Sequence, residues 1–151
     1  MKKIPLFKPY LSNSEKNNIN KVLDIGWLGM GKNTLIFENK IKKLLHLDNR
    51  YVLSCNTGFS ALHLALIALG LKKNDEIIIP SFSNVANIQT IINEGFKPVF
   101  CDVDEETLCI DTIKLEKLIS KKTKALMFID YGCTLANYSK ILKIKKKYKL
   151  K

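Results

Sequence analysis

At 151 residues the chain has room for one domain with a real core, and its 46% apolar and 26% charged content is ordinary for a globular protein. The net charge of +11 invites a nucleic-acid reading, but positions 139–151 alone hold seven lysines and no acid, leaving 18 basic against 14 acidic residues elsewhere. Arg50 is the one arginine, the residue type best suited to clamping phosphates and reading bases, so the solvated face of a terminal helix accounts for the charge and no nucleic-acid partner is expected.

In chain order, Met1–Tyr10 lacks the apolar stretch of a signal peptide, and a cytoplasmic location is expected. Ser12 or Asn13 can cap a first helix in which Glu15, Ile19, Val22 and Leu23 set the helical period. The glycine-punctuated loop Gly26–Gly31 leads to a second helix over Asn33–Leu47, with Leu35, Ile36, Ile41, Leu44 and Leu45 on one side. Tyr51–Ser54 reads as a buried strand. The Gly58 turn follows, opening an apolar helix to Gly70. The apolar run Ala61–Leu71 is too short to span a bilayer and contains His63, so no membrane association is expected. Strands are predicted at Glu76–Ile79, Pro98–Cys101 and Ala125–Ile129, and helices at 84–94, Ile113–Ser120 and Tyr138–Tyr148.

Short apolar runs alternating with helices imply an α/β fold of three layers, a mainly parallel sheet with helices on both faces. Ligands bind such sheets at the carboxyl ends of the strands, which groups Cys55–Ser60, Pro80–Asn84, Asp102–Asp104 and Asp130–Gly132 as one rim. The Gly58 turn would aim backbone N–H groups and a helix dipole at one point, where a phosphate can sit, or would merely turn the chain. No G-x-G-x-x-G turn is present, which disfavours a Rossmann dinucleotide site. Cys55, Cys101, Cys109 and Cys133 form no C-x-x-C pair and read as small buried hydrophobes. Asp102, Asp104, Glu105, Glu106 and Asp111 read as a strand exit, helix caps and a turn, with no metal site expected. His63 suits packing or a helix hydrogen bond, His46 suits the surface, and Asp130 falls near the rim.

Several linked phrases resemble the N-terminal part of the DegT/DnrJ/StrS family of sugar aminotransferases. They are Ile4-Pro5-Leu6-Phe7-Lys8-Pro9, Gly26-Trp27-Leu28, Thr57-Gly58-Phe59-Ser60-Ala61-Leu62-His63-Leu64-Ala65-Leu66 and Asp75-Glu76-Ile77-Ile78-Ile79-Pro80-Ser81-Phe82-Ser83. Lys97-Pro98-Val99-Phe100-Cys101-Asp102-Val103-Asp104, Ile110-Asp111, Thr123-Lys124-Ala125 and Tyr131-Gly132 continue in register, so the resemblance covers essentially the whole chain.

The resemblance implies the large domain of the pyridoxal 5′-phosphate (PLP)-dependent transferase fold, truncated, with residues 1–151 as its N-terminal part and the small C-terminal domain absent. It implies that the Phe59 and Ser60 N–H groups and the Ser60 hydroxyl hold the cofactor phosphate, with Gly58 permitting close approach. Two positions depart from the family's pattern. Phe59 stands where many members have a threonine, for which Thr57 could substitute. Asn84 stands where an aromatic ring usually stacks on the pyridine; its amide can lie flat against that ring as a cofactor contact but gives up stacking area, and Phe82, offset by two residues, is not expected to replace the aromatic. Losing that stacking is expected to cost about 0.5–1.5 kcal/mol. The lysine that bonds the cofactor and the aspartate that keeps its ring protonated belong to phrases this sequence does not contain, so no catalytic residue is assigned and the chain alone is not expected to turn over. The resemblance further implies a nucleotide-linked keto-sugar and glutamate as substrates, polysaccharide biosynthesis as the setting, and a homodimer or a pairing with a full-length paralogue. An unpaired apolar sheet edge and marginal stability are expected, as of a fragment or a truncated gene product.

Overall fold

The sequence opens with a strong local helix signal, and the computed structural model, which describes residues 3–5 and 8–151, bears it out. Leu6 and Phe7 of the opening phrase lie outside the described residues. Ser12 caps helix α1 (Asn13–Ile25) through a reciprocal box with Glu15, and Gly26, at φ 74°, closes it in the left-handed conformation. Helix α2 (Lys32–Leu44) begins after Gly31, whose Cβ would fall 2.9 Å from the Trp27 ring. The Trp27 indole in turn donates to the Met30 carbonyl at 3.0 Å, closing the loop.

One expectation is corrected here. Tyr51–Ser54 is not a buried strand: Tyr51 is 93% exposed, and no ladder pairs the segment among the described residues. Its backbone is satisfied differently, with the Ser54 N–H and hydroxyl both donating to Glu38 Oε1, at 2.8 and 2.9 Å. The chain divides into two compact units, residues 1–54 and 55–151, and Glu38 is the one buried residue described in the first.

The second unit carries the rim. It comprises α3 (Gly58–Ala68), β1 (Glu76–Pro80), α4 (Val85–Asn93), β2 (Lys97–Cys101), α5 (Thr112–Leu118), β3 (Thr123–Leu126) and α6 (Tyr138–Tyr148). The three strands form a parallel sheet in the order β2-β1-β3, with Ile78 opposite Val99 on one side and Leu126 on the other. Strand alternation then separates two cores. Ile77 and Ile79 face Leu66 of α3 and Ile91 of α4, while Ile78 packs with Leu115 of α5 and Ile141 and Ile144 of α6. Helices on both faces make the predicted three layers. All three isoleucines are fully buried, each worth about 1.5–3 kcal/mol of hydrophobic stabilisation.

The outer edge of β3 is met by Lys151, whose N–H donates to the Lys124 carbonyl and whose carbonyl accepts from Leu126, the pattern of a parallel neighbour. Among the described residues no helix is long and apolar enough to cross a membrane.

Candidate functional site

The first turn of α3 is fixed by Thr57 rather than by glycine strain. Thr57 Oγ1 accepts the Ser60 N–H at 3.1 Å and lies 3.0 Å from the Ser60 hydroxyl. Gly58 is the first helical residue and has no left-handed φ, so the backbone does not require glycine there. A Cβ on Gly58 would instead enter open space in front of the helix, and its absence keeps that approach clear.

This arrangement redistributes the donors expected from sequence. The Ser60 N–H is already occupied by Thr57, whereas the Gly58 and Phe59 N–H groups bond to no acceptor among the described residues. The α3 start therefore presents two backbone donors, two neighbouring hydroxyls and the positive end of an 11-residue helix. This donor set fits a phosphate monoester, which offers several oxygens and a negative charge to match.

The other rim loops follow the strand ends. Asn84 is the N-cap of α4, and its Oδ1 accepts the Ala86 N–H at 2.9 Å. Its amide is thus committed to the helix start, as asparagine often is. Phe82, in the same loop, packs against Tyr131 from the loop beyond β3, with ring centroids 4.8 Å apart. Asp130 accepts from the Ala136 N–H at 2.8 Å and the Tyr138 hydroxyl at 2.7 Å, tying the 130–138 loop to the start of α6. These bonds, the Ala136 amide first, hold its carboxyl below the usual value, while the same contact raises the Tyr138 hydroxyl. Tyr131 and Thr134 bracket a tight turn with Gly132 and Cys133 both at positive φ.

The acidic residues take structural places. Asp111 caps α5 through the Ile113 and Lys114 N–H groups, Asp104 gathers the Thr107 N–H and hydroxyl, and Asp102 pairs with Lys114 at 3.0 Å. The cysteines split: Cys101 and Cys109 are buried, but Cys55 and Cys133 are exposed on rim loops, against expectation. Burial, with the Asp111 and Asp102 charges behind it, pushes the Cys101 thiol up to about 11, which makes it an inert packing group. His63 bonds Glu94 at the end of α4 and meets the Phe59 ring edge-on, so it ties α3 to α4 as a helix hydrogen bond. His46 is on the surface.

Sequence reasoning missed the Phe82–Tyr131 pair, the Asp130 tether and the Glu94 partner of His63. The alternation of strands and helices places these loops at one end, but no periodicity announces which side chains in them meet.

Residues 9–151 match the model of the DegT/DnrJ/EryC1/StrS aminotransferase family. A GDP-perosamine synthase of Escherichia coli O157:H7 is 38% identical over 134 residues, covering 87% of this chain and 36% of that protein. The spore coat polysaccharide biosynthesis protein SpsC of Bacillus subtilis (strain 168) is 34% identical, over 93% of this chain and 36% of its own length. Among solved structures, NtdA of Bacillus subtilis with its cofactor PMP (pyridoxamine 5′-phosphate) bound superposes with a TM-score of 0.84 at 32% identity, over 90% of this chain and 31% of that one. The E. coli GDP-4-keto-6-deoxy-D-mannose-3-dehydratase with hydrated PLP bound gives 0.90 at 27% identity, over 98% and 39%. The chain thus spans only 31–39% of the length of these relatives. On the extent of the family match, which runs from the first helix through the rim to Lys151, the chain belongs to the DegT/DnrJ/EryC1/StrS aminotransferase family.

Proposed function

We propose that residues 1–151 are the N-terminal part of the large domain of a PLP-dependent aminotransferase acting on nucleotide-linked keto-sugars. In this reading the chain supplies the phosphate-binding half of the cofactor site. The observation that carries the reading is the start of α3, where open Gly58 and Phe59 N–H groups lie beside the Thr57 and Ser60 hydroxyls.

When bound, the cofactor would supply amino-group transfer between a donor, with glutamate as the proposed one, and the sugar ketone. Within this chain, the Gly58 and Phe59 amides and the α3 dipole neutralise the phosphate charge. The Ser60 hydroxyl orients one phosphate oxygen, and Thr57 holds Ser60 in place. Gly58 leaves room for the phosphate to reach the backbone. Asp130 keeps the neighbouring loop tied down through Ala136 and Tyr138, which limits the rim's freedom. In this reading the chain's own share is binding and orientation.

Calorimetry with PMP tests the reading, because that form carries no aldehyde for surface lysines to capture. The expected result is binding that inorganic phosphate competes away and that Ser60→Ala weakens about tenfold, the loss of one charge-assisted hydrogen bond. Affinity no greater than that of phosphate-free pyridoxamine, or unchanged in Ser60→Ala, would defeat it.

A further inference from the structure

We infer that Phe82 and Tyr131 together form the wall against which the planar ring of the cofactor packs, in place of an aromatic at Asn84. This rests on the cofactor reading given above, and it concerns a part of the site that the phosphate contacts do not determine.

The two rings come from loops after adjacent strands: Phe82 follows β1, and Tyr131 lies beyond β3. Their centroids are 4.8 Å apart at a 43° tilt, so each restrains the other. Neither belongs to either core; Phe82 remains 47% exposed and Tyr131 38% exposed. A tilted aromatic pair held at the surface, rather than turned inward, keeps an apolar wall available to a third flat group.

The supporting loops are anchored on both sides. Next to Phe82, the Ser81 N–H donates to the Cys101 carbonyl at 2.7 Å. Next to Tyr131, Asp130 holds Ala136 and Tyr138, and the Thr134 N–H closes the turn on the Tyr131 carbonyl at 2.8 Å. Asn84 cannot take the ring's place while its Oδ1 caps α4.

The pair also lies at the correct end of the sheet. The Leu69 carbonyl at the far end of α3 accepts from Lys151, which pairs beside the middle of β3. Leu62, nearer the start of α3, lines a cavity of about 270 Å³ with Phe128, just past the end of β3. Helix α3 thus runs against the strand direction, and its Gly58 end approaches the end that bears Tyr131. An electron-poor pyridine whose phosphate is held by that helix start would extend toward the two rings. Each ring would then contribute a stacking contact, a factor of about two to ten in affinity.

Proton NMR of PMP with the whole chain provides the test. The ring methyl signal should move upfield on binding, and Phe82→Leu and Tyr131→Leu should each shrink that movement and weaken PMP about two- to tenfold. Both variants should bind inorganic phosphate as the wild type does. An undiminished methyl shift in both variants would overturn the wall and leave the phosphate cup standing. If the wild type binds neither PMP nor phosphate, the cup fails and the wall with it. Should a leucine variant unfold by circular dichroism, nuclear Overhauser contacts from the PMP methyl to the Phe82 and Tyr131 ring protons in the wild type decide instead: their presence supports the wall, and their absence from bound PMP overturns it.

Discussion

Residues 1–54 and 55–151 use the same helical signals to different ends. In the first unit, α1 carries a complete capping box and α2 an apolar period, yet α1 buries no residue and Leu44 stands 71% exposed. In the second, three strands of four or five residues bury Ile77, Ile78 and Ile79 completely because helices cover both faces. Local signals suffice to draw a helix, but stability comes from a surface that another element can close over. The candidate site sits on the second kind of structure.

The largest expected effect sharpens that contrast. Leu115→Ala, which empties a fully buried position under α5, should cost about 2–5 kcal/mol in urea unfolding. Leu44→Ala should stay within about 0.5 kcal/mol. Similar costs for the two would erase the distinction between the units. Next come the caps. Asp111→Ala leaves the Ile113 and Lys114 N–H groups without their acceptor and should remove about 1 kcal/mol from the same unfolding transition. Ser12→Ala should lower helical circular dichroism from α1 while leaving that transition in place, and a shift of the transition would show the units to be coupled.

The smallest effect concerns acid. Because the Ala136 amide and then the Tyr138 hydroxyl hold Asp130 below its ordinary value of 3.8, its contribution is complete above that value and is lost as pH falls through the lower folded-state pKa. The Ala136 amide proton should therefore titrate with a midpoint below 3.8, and Asp130→Asn should flatten the curve. A midpoint at or above 3.8 would remove the tether from the account.

Much of this was legible in the residues. Alternating apolar runs gave the parallel sheet, Ser12 with Glu15 gave the α1 cap, and the Asp111 position gave the α5 cap. Tyr51–Ser54 misled because a short apolar run specifies extended backbone but not a partner, and Glu38 took the Ser54 donors instead. Of the two readings of Gly58, close approach and a mere turn, the open space in front of it agrees with the first, while the Thr57 side chain, which sequence pattern did not single out as the cap, makes the turn. Asn84 was legible as a departure from an aromatic, but its engagement as a cap depends on where α4 begins. Phe82 and Tyr131 meet only because β1 and β3 are neighbours, a fact of topology that no local pattern encodes.

The central claim is that the start of α3 binds the phosphate of a pyridoxal-type cofactor, and amide NMR during titration with PMP tests it most directly. The account predicts that the largest shifts fall on the Gly58 and Phe59 N–H signals, with Ser60 following, and that inorganic phosphate moves the same signals. Shifts confined to the lysine-rich segment 139–151, with Gly58 and Phe59 unmoved, would contradict it.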